Sequence, residues 1–274
     1  TVPAIVTPTS TYGLLKRPVS TTGWRAWVFT VDHKKLGIMY AATAMFFFVV
    51  GGIEALLISL RASFFATLFG LPFAILIAYV LARFRFPGHG LLNVVVHLPL
   101  VLPPVVTGYL LLLTLGRKAP LGAALEACCG IVFSFRWTGA ALAAGIMAFP
   151  LIVRAVRLSI EAVDTRLEQS ALTLGAHPVW VFLTITLPLA LPGIVAGAIL
   201  GFAKALGEFG ATITFVSNIP GETQTLPSAI YSYTQIPNGD GPALRLVIIA
   251  IVISMAALFA SEAMARRVKT RIIS

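Results

Sequence analysis

Charge is what this sequence has least of. Only 11% of its 274 residues are Asp, Glu, Lys or Arg, against about a quarter in an ordinary soluble domain, while 58% are hydrophobic. The composition predicts an all-α, polytopic integral membrane protein. Cysteine is nearly absent. Cys128 and Cys129 stand side by side, so they offer neither an ordinary mutual disulfide nor metal-ligand spacing. Walker A and nucleophile-elbow patterns are missing, which excludes ATP hydrolysis by the chain itself. Acidic residues are the scarcer charges, 10 against 20 Lys and Arg. In a membrane protein such a surplus orients loops toward the cytoplasm, and no nucleic-acid partner is expected.

What is present is a succession of apolar runs. Residues 1–35, rich in Thr, Ser and Pro with Lys16, Arg17, Arg25, Lys34 and Lys35, read as a basic flexible arm with a short helix near 24–30. About six transmembrane helices are predicted: 36–60, with Glu54 its only charge; 64–82; 91–115; 138–158; 189–215; and 243–264. The first reads as an uncleaved signal anchor added to a five-helix core. The third contains "LPLVLPPVVTG", whose Pro99, Pro103, Pro104 and Gly108 predict a broken segment. Breaks are tolerated in lipid only where protein or a water-filled cavity satisfies the freed carbonyls. Placing the arm, the 83–90 turn, the 154–188 loop and the tail "RRVKTR" in the cytoplasm leaves Arg61, Arg117, Lys118, Arg136 and Arg245 outside. Both termini are then cytoplasmic.

The loop at 161–188 is longer than a connection needs. Val163, Leu167, Ala171 and Leu174 recur at spacings of four, four and three, predicting a short amphipathic helix. Gly175 stands where a left-handed cap belongs, and Pro178 prevents continuation. A second short segment, 179–186, leads through Leu187 and Pro188 into the next span. Such a projection suits either a grip for another protein or an interfacial helix on lipid.

Gly175-Ala176 followed by "ITLP" (Ile185 to Pro188) resembles the cytoplasmic loop signature of ABC importer permeases. In that signature a Glu-Ala-Ala triplet precedes the glycine; here it reads Gln169-Ser170-Ala171, with Glu168 next door and about 100° around the helix. "HLPLVLPPVVTGYLLLLTLGR", "WTGAALAAGIMAFPLIVRAVR" and "LGEFGATITFVSNIPGETQTLPSAIY" extend the similarity to molybdate-type oxyanion permeases over about 54–271. The resemblance implies the ABC importer permease fold in the bacterial inner membrane and a homodimer of permease subunits. It also implies two cytoplasmic ATPases seated on the 161–188 loops and an external protein delivering molybdate, tungstate or, as the nearest alternative, sulfate. ATP and Mg²⁺ would belong to the ATPases, and the chain itself would bind no cofactor.

Residues 20–58, with "DHKKLGIMY" and "GGIEALLI", resemble instead the start of haem-copper oxidase subunit I. The two similarities meet at "EALLISLRAS", a junction compatible with natural fusion, engineered recombination or misassembly of two sequences. Haem and copper need several membrane histidines, but of His33, His89, His97 and His177 only His97 lies in a predicted span. An anchor helix is the expected role of the segment.

Candidate pathway residues are few. Lys204 and Glu208, four apart in the fifth span, can share a helical face. They serve either as an ion pair that packs the dimer or as a cavity mildly attractive to an oxyanion, since charge within a span usually faces an interior or water. Gly207, Gly210, Thr212 and Thr214 permit close approach and offer hydroxyls. Pro103, Pro104, Thr107 and Gly108 supply the opposing broken backbone.

Overall fold

The computed structural model describes the backbone of residues 33–273 and the side chains of most residues between 36 and 259. The predicted arm up to residue 32 and the tail side chains Arg266 to Arg271 lie outside the described residues. The chain divides into two compact units, residues 1–50 and 51–274. In the first, the described residues 36–50 present mostly exposed apolar side chains, among them Phe46 and Phe47 packed edge to face.

All regular structure among the described residues is helical. In order the helices are α1 (His33–Arg83), α2 (His89–Val101), α3 (Pro104–Leu115), α4 (Pro120–Cys129), α5 (Trp137–Glu161), α6 (Thr165–Thr173) and α7 (Pro178–Val181). One π-helical turn, Phe182–Thr186, then leads into α8 (Leu187–Leu206), followed by α9 (Gly210–Val216), α10 (Leu226–Thr234) and α11 (Asp240–Ile273).

The expected break at Arg61 does not occur: the spans 36–60 and 64–82 are one continuous helix of 51 residues. Arg61-Ala62-Ser63 carries neither glycine nor proline, Ser63 Oγ donates to the Ser59 carbonyl of the preceding turn at 2.7 Å, and the Arg61 guanidinium lies 3.6 Å from the centre of the Trp137 ring. That cation–π contact accommodates the charge without a loop. The third run is broken as expected, bending 113° between α2 and α3. Pro103 and Pro104 make the break, whereas Pro99 is held within α2 and Gly108 within α3. The predicted fifth span is also divided, at Gly207-Glu208-Phe209 between α8 and α9. The connections 116–137 and 216–242 contain α4 and α10.

The centre of the second unit is α5, whose small residues are buried along its length. Ala140, Ala143 and Met147 join Leu111, Ala211 and Phe215 in one cluster; Ile152, Val156 and Ile160 join Ala74, Ala78 and Ile194 in another. Helices α1 and α8 approach α5 closely because glycine and alanine fill the contacts, the usual basis of helix association in lipid. A Cβ on Gly197 would lie 3.3 Å from that of Ala155, and one on Gly201 would run into the Ile152 side chain. Ser159 Oγ donates to the Ala190 carbonyl at 3.2 Å across the same contact. Large side chains such as Phe69, Phe73 and Leu76 point outward, exposed, as lipid-facing positions require.

The contacts also order the two sides. Arg61 meets Trp137 at the start of α5, and Arg83 meets the loop that follows α5. The 83–90 turn and the 161–188 loop therefore share one side, opposite Arg61 and Arg136, as the charge distribution predicts.

Gly201→Leu is expected to lower the thermal unfolding midpoint of the purified protein, because overpacking a tight contact costs about 1–3 kcal/mol. Gly70→Ala, whose added carbon would meet nothing within 4 Å, is expected to leave the midpoint unchanged or slightly higher.

Candidate functional site: a tethered loop and two adjoining helix breaks

The 161–188 loop folds as predicted into two short helices around a bend. The Asp164 side chain caps α6, accepting from the Arg166 amide at 2.9 Å. Gly175 has φ +90°, a left-handed conformation open to glycine at little cost. The amphipathic stripe is not buried as a stripe. Val163 is covered, but Leu167 is half exposed and Leu174 is 88% exposed, joined by Leu172, Val179 and Trp180. Gln169, Ser170, Gly175 and Ala176 are exposed, and Ala171 is partly covered. Ile185 and Leu187 are partly buried in the turn and helix that lead into the membrane, beside exposed Pro188.

Glu168 faces inward. Its Oε1 accepts from Arg83 Nη2 at 3.0 Å and Nε at 3.3 Å, and from Thr186 Oγ1 at 2.7 Å. The same Arg83 Nη2 donates to the Val163 carbonyl at 3.0 Å. Both charged side chains are only 13% exposed. Charge-assisted bonds in so sheltered a place are stronger than surface pairs, and here they tie three segments together: the end of α1, the start of the loop and the turn that enters α8. Neither Arg83 nor Thr186 stands out by spacing or by resemblance. The available signal was an arginine at the end of an apolar helix, which needs a partner wherever it is sheltered.

The predicted pathway residues come together, though as a packed contact rather than facing walls. A Cβ on Gly210 would lie 2.8 Å from Pro104 Cβ, and one on Gly108 would lie 2.5 Å from the Ala211 carbonyl oxygen. The break before α3 and the break before α9 therefore adjoin. The Thr212 and Thr214 hydroxyls donate to backbone carbonyls of their own turn and are not free donors. Thr107 Oγ1 is buried without a partner, while Pro103 and Gly207 are exposed.

Lys204 and Glu208 form the expected ion pair, at 2.8 Å, but not within one helix. Glu208 lies beyond the end of α8, is 2% exposed, and its second oxygen accepts from the Ala211 amide at 3.2 Å. It thus joins the end of α8 to the first turn of α9. Lys204 keeps about a third of its side chain accessible. His97 Nδ1 is hydrogen-bonded with the Asn93 carbonyl at 2.8 Å, and no group of three metal-ligating side chains occurs among the described residues.

On the opposite side, Arg117 grips Glu126 through Nε and Nη2 at 2.7–3.1 Å. This holds the Glu126 carboxyl below the usual carboxylate range.

A helical membrane chain with two adjoining helix breaks and a tethered two-helix loop defines a transport permease of the ABC importer fold. Residues 70–270 match the binding-protein-dependent transport system inner membrane components, and the chain belongs to that family. It is 58% identical over 213 residues to the molybdenum transport system permease protein ModB of Escherichia coli (strain K12), covering 78% of this chain and 93% of that protein. It is 52% identical over 220 residues to its namesake in Haemophilus influenzae, covering 80% and 96%. Similarity to the sulfate transport system permease protein CysT of Salmonella typhimurium is lower, 31% over 222 residues, covering 81% and 79%. Among solved structures, the inward-facing MetNI methionine ABC transporter shares the fold with a TM-score of 0.62 at 19% identity, over 82% of this chain and 98% of that one.

Glu168→Ala leaves Arg83 sheltered without its carboxylate. Hydrogen–deuterium exchange is expected to rise across 165–176 while α5 and α8 stay protected, the tie being worth about 1.5–3 kcal/mol per charged hydrogen bond. A second expectation concerns pH. Because the folded Glu126 carboxyl is depressed, its pair with Arg117 contributes above the unfolded carboxylate range and is lost as pH falls through the folded value. Infrared titration should place the Glu126 midpoint lower in the intact chain than in Arg117→Gln.

Proposed function

We propose that this chain is the membrane-spanning subunit of an ATP-driven oxyanion importer, with molybdate as its cargo. Two copies form the pathway in the bacterial inner membrane, with the 161–188 loop and the C-terminus in the cytoplasm; the N-terminus was expected there too, but α1 runs through Arg61 without the turn that this placement needs. An external binding protein delivers the ion, and two cytoplasmic ATPases supply ATP and Mg²⁺ chemistry to a chain that has none. The observation that carries the reading is the tethered loop, whose apolar outer face, Leu167, Leu174 and Trp180, has no cover in the single chain. The names and high identity of the molybdenum permeases support the cargo. Tungstate shares molybdate's chemistry, and sulfate is the alternative indicated by the lower similarity to the sulfate permease.

Mechanically, an ATPase closing on the loop pushes on Leu174 and its neighbours. The Arg83–Glu168–Thr186 tie passes the displacement to α1 and α8 together. At the far end of α8 the Lys204–Glu208 pair and the adjoining breaks at Pro103-Pro104 and Gly207–Gly210 can change their mutual angle without opening a continuous helix. Lys204, part exposed and paired with Glu208, attracts an oxyanion weakly, which suits a site that must release its cargo. Residues 20–58, resembling an oxidase start, are an appendage outside the 70–270 family match.

The test is ATP hydrolysis by the cognate ATPase reconstituted with this chain in lipid. Leu174→Glu and Gly175→Asp are expected to lower permease-dependent hydrolysis roughly tenfold or more, as loss of an interface hot spot does, and deletion of residues 1–53 to leave it intact. Full hydrolysis in both loop variants would remove the loop from coupling. Uptake of labelled molybdate, with sulfate and tungstate as competitors, decides the cargo.

A further inference from the structure

We propose that the cavity between α4 and the start of α5 is a receiving site for a small tetrahedral oxyanion, held by Ser134, Arg136 and Arg117. The proposal rests on the importer reading for the side of the membrane on which the cavity lies. The cavity has a volume of about 350 Å³ and is lined by Arg117, Glu126, Ser134, Phe135 and Arg136 among others. Ser134 is 3% exposed, and its hydroxyl has no hydrogen-bond partner, although buried hydroxyls are ordinarily satisfied. The next residue, Phe135, has φ +58°, an uncommon conformation for a bulky side chain and one that collects at ligand-binding positions.

Arg136 then occupies the cap position of α5, a helix of 25 residues whose first turn has no side-chain cap and no acidic residue. The positive end of that helix favours an anion. Two guanidinium groups face one carboxylate here. Arg117 is matched by Glu126, while Arg136 makes no ion pair among the described residues, so the cavity keeps a net positive charge. Converging donors of this kind suit a ligand with oxygens on every side, better than a single side-chain carboxylate entering from one direction. Glu126, 2.7 Å from Arg117, keeps the site from holding the ion tightly. Transfer toward Lys204 requires that weakness.

The experiment uses the full chain assembled with its ATPase in lipid nanodiscs without the external binding protein, and labelled molybdate as probe. One saturable site per chain is expected, displaced by sulfate but not by chloride. Arg136→Gln and Ser134→Ala should each weaken it about tenfold, as loss of a hydrogen bond to a charged group does. Absence of saturable binding up to about 1 mM, the weak end of useful affinity, overturns the proposal, as does equal binding in the parent and both variants. Weakened docking of the binding protein in those variants without any ion binding would assign the cavity to a carboxylate of that protein, and also overturns it. Coupled ATP hydrolysis, measured on the same parent assemblies, separates the two readings: assemblies that couple but bind no ion sink this site alone.

Discussion

The carboxylate of Glu168 holds the 161–188 loop to two membrane helices. A loop outside the membrane can deliver force only if it does not yield first, and helices as short as α6 are marginal by themselves. Glu168 removes that freedom by accepting from Arg83 and Thr186 at once, while Arg83 also holds the Val163 carbonyl. The tie works because it is sheltered, since an exposed pair would contribute little. The residue offset from the usual acidic position of the loop signature is therefore used inward, which leaves the outward face of α6 almost free of charge.

From that tie a displacement, as proposed, would pass to α8 through its contact with α5. The contact between α5 and α8 contains glycine at 197 and 201 against Ala155 and Ile152, so the helices touch nearly backbone to backbone and cannot absorb motion by side-chain rearrangement. The compliance lies at the other end, where α8 stops at Gly207 and α3 begins after Pro103. Those breaks meet at Pro104 and Gly210. Under the proposed function, a stiff lever ending at two adjoining hinges would convert a push on the loop into a change of angle at the breaks, the kind of transition broken helices support in transporters.

The loop, the breaks and the common side of the 83–90 turn and the 161–188 loop were legible in the sequence for identifiable reasons. Glycine and proline at 175, 178, 103 and 104 act through local backbone constraints, and lysine and arginine placement acts through the membrane as a whole. Two features were not legible. Continuity through Arg61 depends on Trp137, 76 positions away, and hydropathy sees only an interrupting charge. The roles of Thr212 and Thr214 depend on whether a hydroxyl turns to its own helix carbonyl, a choice that spacing does not encode. The pairing of Lys204 with Glu208 was readable from the four-residue interval; the end of the helix between them was not, although Gly207 marks it.

The scarcity of acidic residues gives these placements their weight. Four ion pairs are formed among the described residues, and each stands near a helix end: Glu168 with Arg83 at the loop, Glu161 with Arg157 at the close of α5, Glu126 beside the cavity at the start of α5, Glu208 between α8 and α9. None of these pairs is placed along an unbroken apolar stretch, where a charge would have to be covered on all sides. In a lipid-facing protein, apolar burial adds little preference for one helix arrangement over another, because lipid tails are as apolar as leucine. Directional pairs at helix ends supply that preference, and they do so at the positions where the chain bends, grips or changes direction.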